Sequence, residues 1–230
     1  MILRYVHISG LVAGLFACEQ PREEAPANAT PPASSSTLPS VMFLGTSLTA
    51  GLGIDPDQAY PALIQRKIDS AGLDYRVANA GVSGETSAGA LRRVDWLFQE
   101  PVAVLVVETG ANDGLRGLPP DSLRANIQAI FDRAKRLEPR PKLVLLGMRV
   151  PPNYGRAYSQ RFQAIYPDLA RANDAALVPF LLEEVGGVPH LNQPDGVHPT
   201  AEGQRKLAET VWRVLEPVLR ESGKGGNVSP

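Results

Sequence analysis

Five short apolar runs alternate along this chain with segments whose apolar residues recur at helical spacing, and that alternation constrains the fold more than any other feature. The runs are Val41 to Leu44, Tyr75 to Ala80, Val102 to Val107, Lys142 to Gly147 and Ala176 to Leu181. Short apolar runs closed by glycine or proline read as buried strands. Val102 to Val107 is continuously β-branched or leucine, which suits burial on both faces as in a parallel sheet. Between the runs, Tyr60 to Ala71 carries Tyr60, Leu63, Ile64, Ile68 and Ala71 on one helical face, with Pro61 fitting a first turn and Gly72 a stop. A helix after the loop Gly81 to Gly89 presents Leu91, Val94, Leu97 and Phe98. Asp121 suits the cap of a long helix with Leu123, Ile127, Ile130, Phe131, Ala134 and Leu137 on one side. A further helix from about Tyr158 should be distorted by Pro167, and the last one carries Leu207, Val211, Val214 and Leu215. Strands alternating with helices make parallel βαβ units, so the predicted class is α/β, a three-layer α/β/α sandwich with about five parallel strands. The folded domain spans 40–220, and 221–230, glycine-rich and ending in proline, reads as a flexible tail.

The first forty residues do not belong to that pattern. Residues 1–18 hold one cation, Arg4, and a mostly apolar stretch from Val6 to Ala17 that is too short to span a bilayer. This reads as an export signal. The single cysteine of the chain, Cys18, stands directly after it, and a lone cysteine can form no internal disulfide. Leu15-Phe16-Ala17-Cys18 resembles the lipobox of bacterial lipoproteins, in which the cysteine is lipidated; an ordinary cleaved signal with a chance cysteine is the alternative. Residues 19–39 are rich in Pro, Ala, Ser and Glu and read as a disordered tether, because such a segment buries too little apolar surface to offset its ordering entropy. The localisation this implies is export, with a lipid anchor in a bacterial cell envelope, or secretion without one.

Ser47 lies just past the first strand, where an open α/β sheet handles ligands. Taken alone, such a serine is a turn or cap hydroxyl. Beyond the signal the chain has only two histidines, His190 and His198, and the second sits in Asp195-Gly196-Val197-His198-Pro199. A hydroxyl nucleophile, an imidazole base and an acid that fixes its tautomer are the parts of an acyl-transfer site. The loops after the second and third strands carry Gly84 and Asn112. In a parallel sheet these open on the same edge as Ser47, so that a backbone N–H and an amide can converge there as an oxyanion hole.

Four blocks in order, GTSLTAG around Ser47, VSGET around Gly84, GAND around Asn112 and DGVHP around His198, make the chain resemble the SGNH hydrolases, also called Gly-Asp-Ser-Leu esterases. The resemblance covers nearly all of Ser40 to Leu219. NYG at Asn153 to Gly155 and FQAIYPDLA at Phe162 to Ala170 look like the thioesterase I, lysophospholipase and arylesterase branch. It implies a flavodoxin-like sheet and a serine esterase acting on short to medium acyl esters, lysophospholipids or thioesters. By the likeness Ser47 is the nucleophile, Asp195 and His198 complete the triad, and Gly84 and Asn112 join the N–H of Ser47 in the oxyanion hole. A carbohydrate O-deacetylase, or a surface binding lipoprotein without activity, are the alternatives.

One residue departs from the family block: Thr46 stands where the aspartate of Gly-Asp-Ser-Leu is usual. That acid is neither nucleophile nor triad anion, so a difference would show in local turn stability or pH response. Ser47 also lacks the second glycine of the α/β-hydrolase elbow. No HExxH, cysteine pair, Walker lysine or dinucleotide glycine loop is present, so neither a metal nor a cofactor is expected. The net charge of −1 and the absence of a basic run give no footprint for nucleic acid. The expected partners are a small ester or lipid and, through Cys18, a membrane. Asp113 reads as a turn residue, and His190 with Glu183 and Glu184 as facing solvent.

Overall fold

The computed structural model describes residues 38–225; the export signal, Cys18 and all but the last two residues of the tether segment lie outside them, as do residues 226–230. Five strands form one parallel sheet: β1 (Ser40–Gly45), β2 (Arg76–Gly81), β3 (Val102–Glu108), β4 (Lys142–Leu146) and β5 (Ala176–Val178). Their order, β2-β1-β3-β4-β5, is the doubly wound flavodoxin-like order. Among the described residues seven α-helices accompany them: α1 (Ser47–Ala50), α2 (Tyr60–Ser70), α3 (Ser87–Leu97), α4 (Ala111–Leu115), α5 (Pro120–Ala134), α6 (Arg156–Asn173) and α7 (Ala201–Gly225). Helix α2 packs with α7, while α5 packs between α3 and α6. These two groups cover the faces of the sheet.

The apolar runs become strands for the expected reason. Val104 to Val107 and Leu143 to Leu146 are almost wholly removed from water, as are Ile127, Ile130 and Phe131 of α5 and Leu207, Val211, Leu215 and Leu219 of α7. Strand β2, which contains Arg76 and Asn79, is the half-exposed edge of the sheet. Register brings Gly45 level with Gly81, Leu44 with Val107 and Glu108 with Leu146. The loops that follow β1, β2 and β3 therefore leave the sheet at one edge.

Several local expectations are corrected. Helix α3 starts at Ser87, three residues earlier than the loop Gly81 to Gly89 implied, and Asp113 accepts the Ser87 N–H at 2.8 Å in its first turn. Asp121 does not cap α5: Pro120 occupies the first helical position, so Asp121 falls within the first turn and pairs instead with Arg161 at 2.9 Å. Helix α6 runs on past Pro167 to Asn173, and both Pro167 and Gln163, the residue four before it whose carbonyl it leaves free, face solvent. Strand β5 stops at Val178, ahead of Pro179. Helix α7 continues past Leu219 to Gly225; the Leu219 carbonyl accepts the Tyr75 hydroxyl, and the Ser222 hydroxyl donates back to Val218. Among the described residues no helix is long and apolar enough to cross a membrane.

Candidate active site

Ser47 is presented by an abrupt change from strand to helix. Strand β1 ends at Gly45 and α1 begins at Ser47, leaving Thr46 as the only link. Gly45 has to be glycine here, because a Cβ would stand 1.9 Å from the Thr49 hydroxyl oxygen one helical turn ahead. The Thr46 N–H donates to Glu108 Oε2 at 2.8 Å and its hydroxyl to both oxygens of the same carboxylate at 3.0 Å, which fixes the turn from the end of β3.

His198 arrives from the loop between β5 and α7. Its Nε2 lies 2.9 Å from Ser47 Oγ, and its Nδ1 lies 2.6 Å from Asp195 Oδ2. The acid and base are held by their own turn: Asp195 Oδ1 accepts the N–H groups of Val197 and His198 at 2.9 and 3.0 Å, with Gly196 between them at φ +69°. Hydrogen bonds from the His198 ring and from these two backbone donors push the Asp195 carboxyl down to about 2. An ionised carboxylate only accepts, so Nδ1 carries the proton toward Asp195 and Nε2 turns a lone pair to the Ser47 hydroxyl. Gln193 joins this loop to the one that follows Ser47 by donating to the Leu52 and Pro199 carbonyls at 2.7 and 3.0 Å.

The oxyanion candidates meet the same edge. Asn112, in the first turn of α4, spends one N–H of its amide on the Glu85 carbonyl at 3.0 Å, which orients the group and leaves the other N–H for a ligand. Gly84 is an exposed residue of the loop after β2, and its carbonyl accepts Arg116 at 2.9 Å. The backbone N–H groups of Ser47 and Gly84 make no hydrogen bond among the described residues. Arg93 locks the surrounding loops together. It pairs with Glu85 at 2.7 Å and donates to the Ala80 and Gly45 carbonyls at 2.7 and 3.4 Å.

Asp113 is a correction: it is buried rather than a free turn residue, and it accepts the Ser87 N–H and hydroxyl at 2.8 and 2.5 Å. His190, Glu183 and Glu184 are exposed. Sequence reasoning missed Glu108, Arg93 and Gln193. For Glu108 a signal existed, an acid closing an otherwise unbroken apolar run. For Gln193 none did.

Beside Ser47 and His198 opens a pocket of about 220 Å³ walled chiefly by Leu48, Leu115, Met148, Val150, Leu182 and Val197. The described residues contain no group of three or more His, Cys, Asp or Glu side chains that could hold a metal ion. Residues 43–206, which span every element of this site, match the model of the GDSL-like lipase/acylhydrolase family. The chain belongs to that family. This GDSL-like hydrolase is 43% identical to the esterase TesA of Pseudomonas aeruginosa over 191 residues, covering 83% of this chain and 92% of TesA. It is 38% identical to thioesterase 1/protease 1/lysophospholipase L1 of Escherichia coli, over 81% of this chain and 86% of that protein. A crystal structure of the esterase EstA from Pseudoalteromonas sp., inhibited by monoethylphosphonate, superposes with a TM-score of 0.74 at 31% identity, over 79% of this chain and 98% of EstA. The GDSL-like chain is a serine ester hydrolase of the SGNH type.

Proposed function

We propose that this hydrolase cleaves carboxylic esters of short to medium acyl chain through an acyl-enzyme on Ser47. The observation that carries the reading is the continuous hydrogen-bonded run from Ser47 through His198 to Asp195. His198 Nε2 takes the hydroxyl proton as Ser47 Oγ adds to the ester carbonyl carbon, and the Asp195 carboxylate stabilises the imidazolium that forms. Negative charge gathers on the former carbonyl oxygen, where the N–H groups of Ser47 and Gly84 and the free N–H of Asn112 receive it. Collapse of this adduct breaks the bond to the alcohol oxygen, which leaves with the proton from His198. Water then gives a proton to the same nitrogen as its oxygen adds to the acyl carbon; collapse of this second adduct breaks the bond to Ser47 Oγ, which takes the proton back from His198, and the acid is released.

The apolar walls beside Ser47 suit an acyl chain. The pocket volume of about 220 Å³ is below the roughly 300–1,000 Å³ of sites that enclose larger ligands, which favours short chains. Thioesters and lysophospholipids stay within the same chemistry, since only the leaving group differs. A panel of p-nitrophenyl esters from two to sixteen carbons tests this: rates should peak at short to medium length, and a maximum at the longest chain overturns the reading. A fluorophosphonate probe should label the native chain and not Ser47→Ala. Absence of label on the native chain would return the protein to the class of binding lipoproteins, and a preference for acetylated sugars over simple esters to the deacetylases.

The export signal and Cys18 support a second part of the proposal, an exported enzyme tethered to a membrane by a lipidated cysteine. Cys18→Ser should be released from membranes with its activity intact. Identical fractionation of both forms removes the anchor from the reading.

A further inference from the structure

Glu108 is a fully buried carboxylate that the mechanism does not use. It closes β3, and four contacts point at it from the start of the neighbouring helix: the Thr46 N–H at 2.8 Å, the Thr46 hydroxyl at 3.0 Å to each oxygen, and the Thr49 hydroxyl at 2.9 Å. The Thr49 hydroxyl also meets the Tyr60 hydroxyl at 2.7 Å, so the run reaches from β3 through α1 to α2. Among the described residues no lysine or arginine forms an ion pair with Glu108. The titratable groups whose fields reach it are Tyr60 on α2 and Tyr166 on α6, both held neutral by burial.

We propose that Glu108 is a positioning residue of the reaction, a buried carboxylate that sets where Ser47 Oγ stands relative to His198 by gripping Thr46, the residue immediately before the nucleophile. The inference rests on Ser47 being the nucleophile. The physical ground is the number and sign of the contacts. Every neighbour within reach offers a hydrogen, so only the ionised carboxylate satisfies all of them at once. A protonated Glu108 has to donate, and the nearest group able to accept is a threonine hydroxyl, which must then turn away from its present bond. Burial opposes ionisation and pushes the group up to about 7, while the Thr46 and Thr49 donors pull it down. The grip on Thr46 is therefore at full strength only above neutrality. This also gives Thr46 a reason to be tolerated in place of the family's aspartate: a hydroxyl supplies a donor to Glu108 where a second carboxylate would supply a like charge.

The test compares the acid limb of log kcat against pH in the native chain, Glu108→Gln, Thr46→Val and Thr46→Ser. Two groups must lose a proton in the native chain, His198 and Glu108, so the limb should be steeper than one ionisation gives. Glu108→Gln should follow a single ionisation, with kcat lowered by about tenfold at pH 8, the size expected when one charge-assisted hydrogen bond becomes neutral, and with KM within about twofold. Thr46→Val removes one donor to the anion, so its limb should move to higher pH, and Thr46→Ser should restore the native limb. An acid limb and kcat unchanged in both Glu108→Gln and Thr46→Val overturn the proposal. So does a loss in Thr46→Val that Thr46→Ser does not repair. Should Glu108→Gln fail to fold, the two threonine variants decide alone. Fluorophosphonate labelling of each variant, with Ser47→Ala as control, separates the two readings, since label surviving in Ser47→Ala refutes the nucleophile and not the grip.

Discussion

Among the described residues two histidines are available as a base, and the surroundings of their rings distinguish them. His198 has an anion on Nδ1 and the Ser47 hydroxyl on Nε2, whereas His190 is exposed with neither. A base must be neutral to accept a proton, so activity should rise with pH. His198→Gln should abolish most turnover together with that rise, and His190→Gln should change neither by more than about threefold, an effect under 1 kcal/mol in barrier. The check is a pH–rate profile of both variants; a dead His190→Gln beside a live His198→Gln would reverse the assignment. Asn112 sits differently, because it touches no proton in flight. Its truncation to alanine should fold and still react with an activated ester, but turn over about 10²–10³-fold more slowly, the usual loss for one oxyanion donor. An unchanged rate removes it from the hole.

At the scale of elements, the site is assembled by side chains that reach between loops. Arg93, on α3, binds the Glu85 carboxylate of its own loop, the last carbonyl region of β2 and the last carbonyl of β1. Its side chain is only about one-fifth exposed, so the groups it serves have restricted access to water. Arg93→Met keeps the apolar stem and leaves those acceptors short of a donor. Stability should fall by about 1–3 kcal/mol, the penalty for polar groups left unpaired, read as a lower urea midpoint with an unchanged slope. A midpoint within experimental scatter of the native one would show that water replaces the guanidinium. The start of α3 is coupled to α4 and to the middle of α5 in the same manner, through Asp113 to Ser87 and Asn126 to the same hydroxyl. That coupling explains why α3 begins earlier than its apolar spacing indicated.

For the molecule as a whole, the two shifted carboxyls give opposite pH dependences. Glu108 is raised from 4.5 to about 7, so between those values the native state holds a proton that the unfolded chain has released. Stability therefore falls as pH rises through this window, by up to roughly 3 kcal/mol, and is level above it. Asp195 is lowered to about 2, so it stabilises the fold above its unfolded value and loses that contribution as pH falls toward 2; being exposed, it contributes little. Urea unfolding at pH 5 and pH 8 should find the native chain more stable at pH 5 and Glu108→Gln with most of that difference gone. Equal stabilities of the native chain at the two pH values would contradict the burial of an ionising Glu108. Read from the residues alone, the alternation of apolar runs and helical spacing determined the layers and the parallel sheet, since period and length follow from local geometry. The order of GTSLTAG, VSGET, GAND and DGVHP, through its likeness to the SGNH hydrolases, pointed to Ser47, Gly84, Asn112, Asp195 and His198 as candidates, and loops at the strand ends of a parallel sheet open on a shared edge. What only the tertiary structure decided was the set of partners that hold those groups. Glu108 to Thr46, Gln193 to Leu52 and Arg93 to Gly45 join positions 62, 141 and 48 residues apart. No local pattern encodes such a bond, because each partner acquires its meaning only when the folding of the whole chain brings the two together.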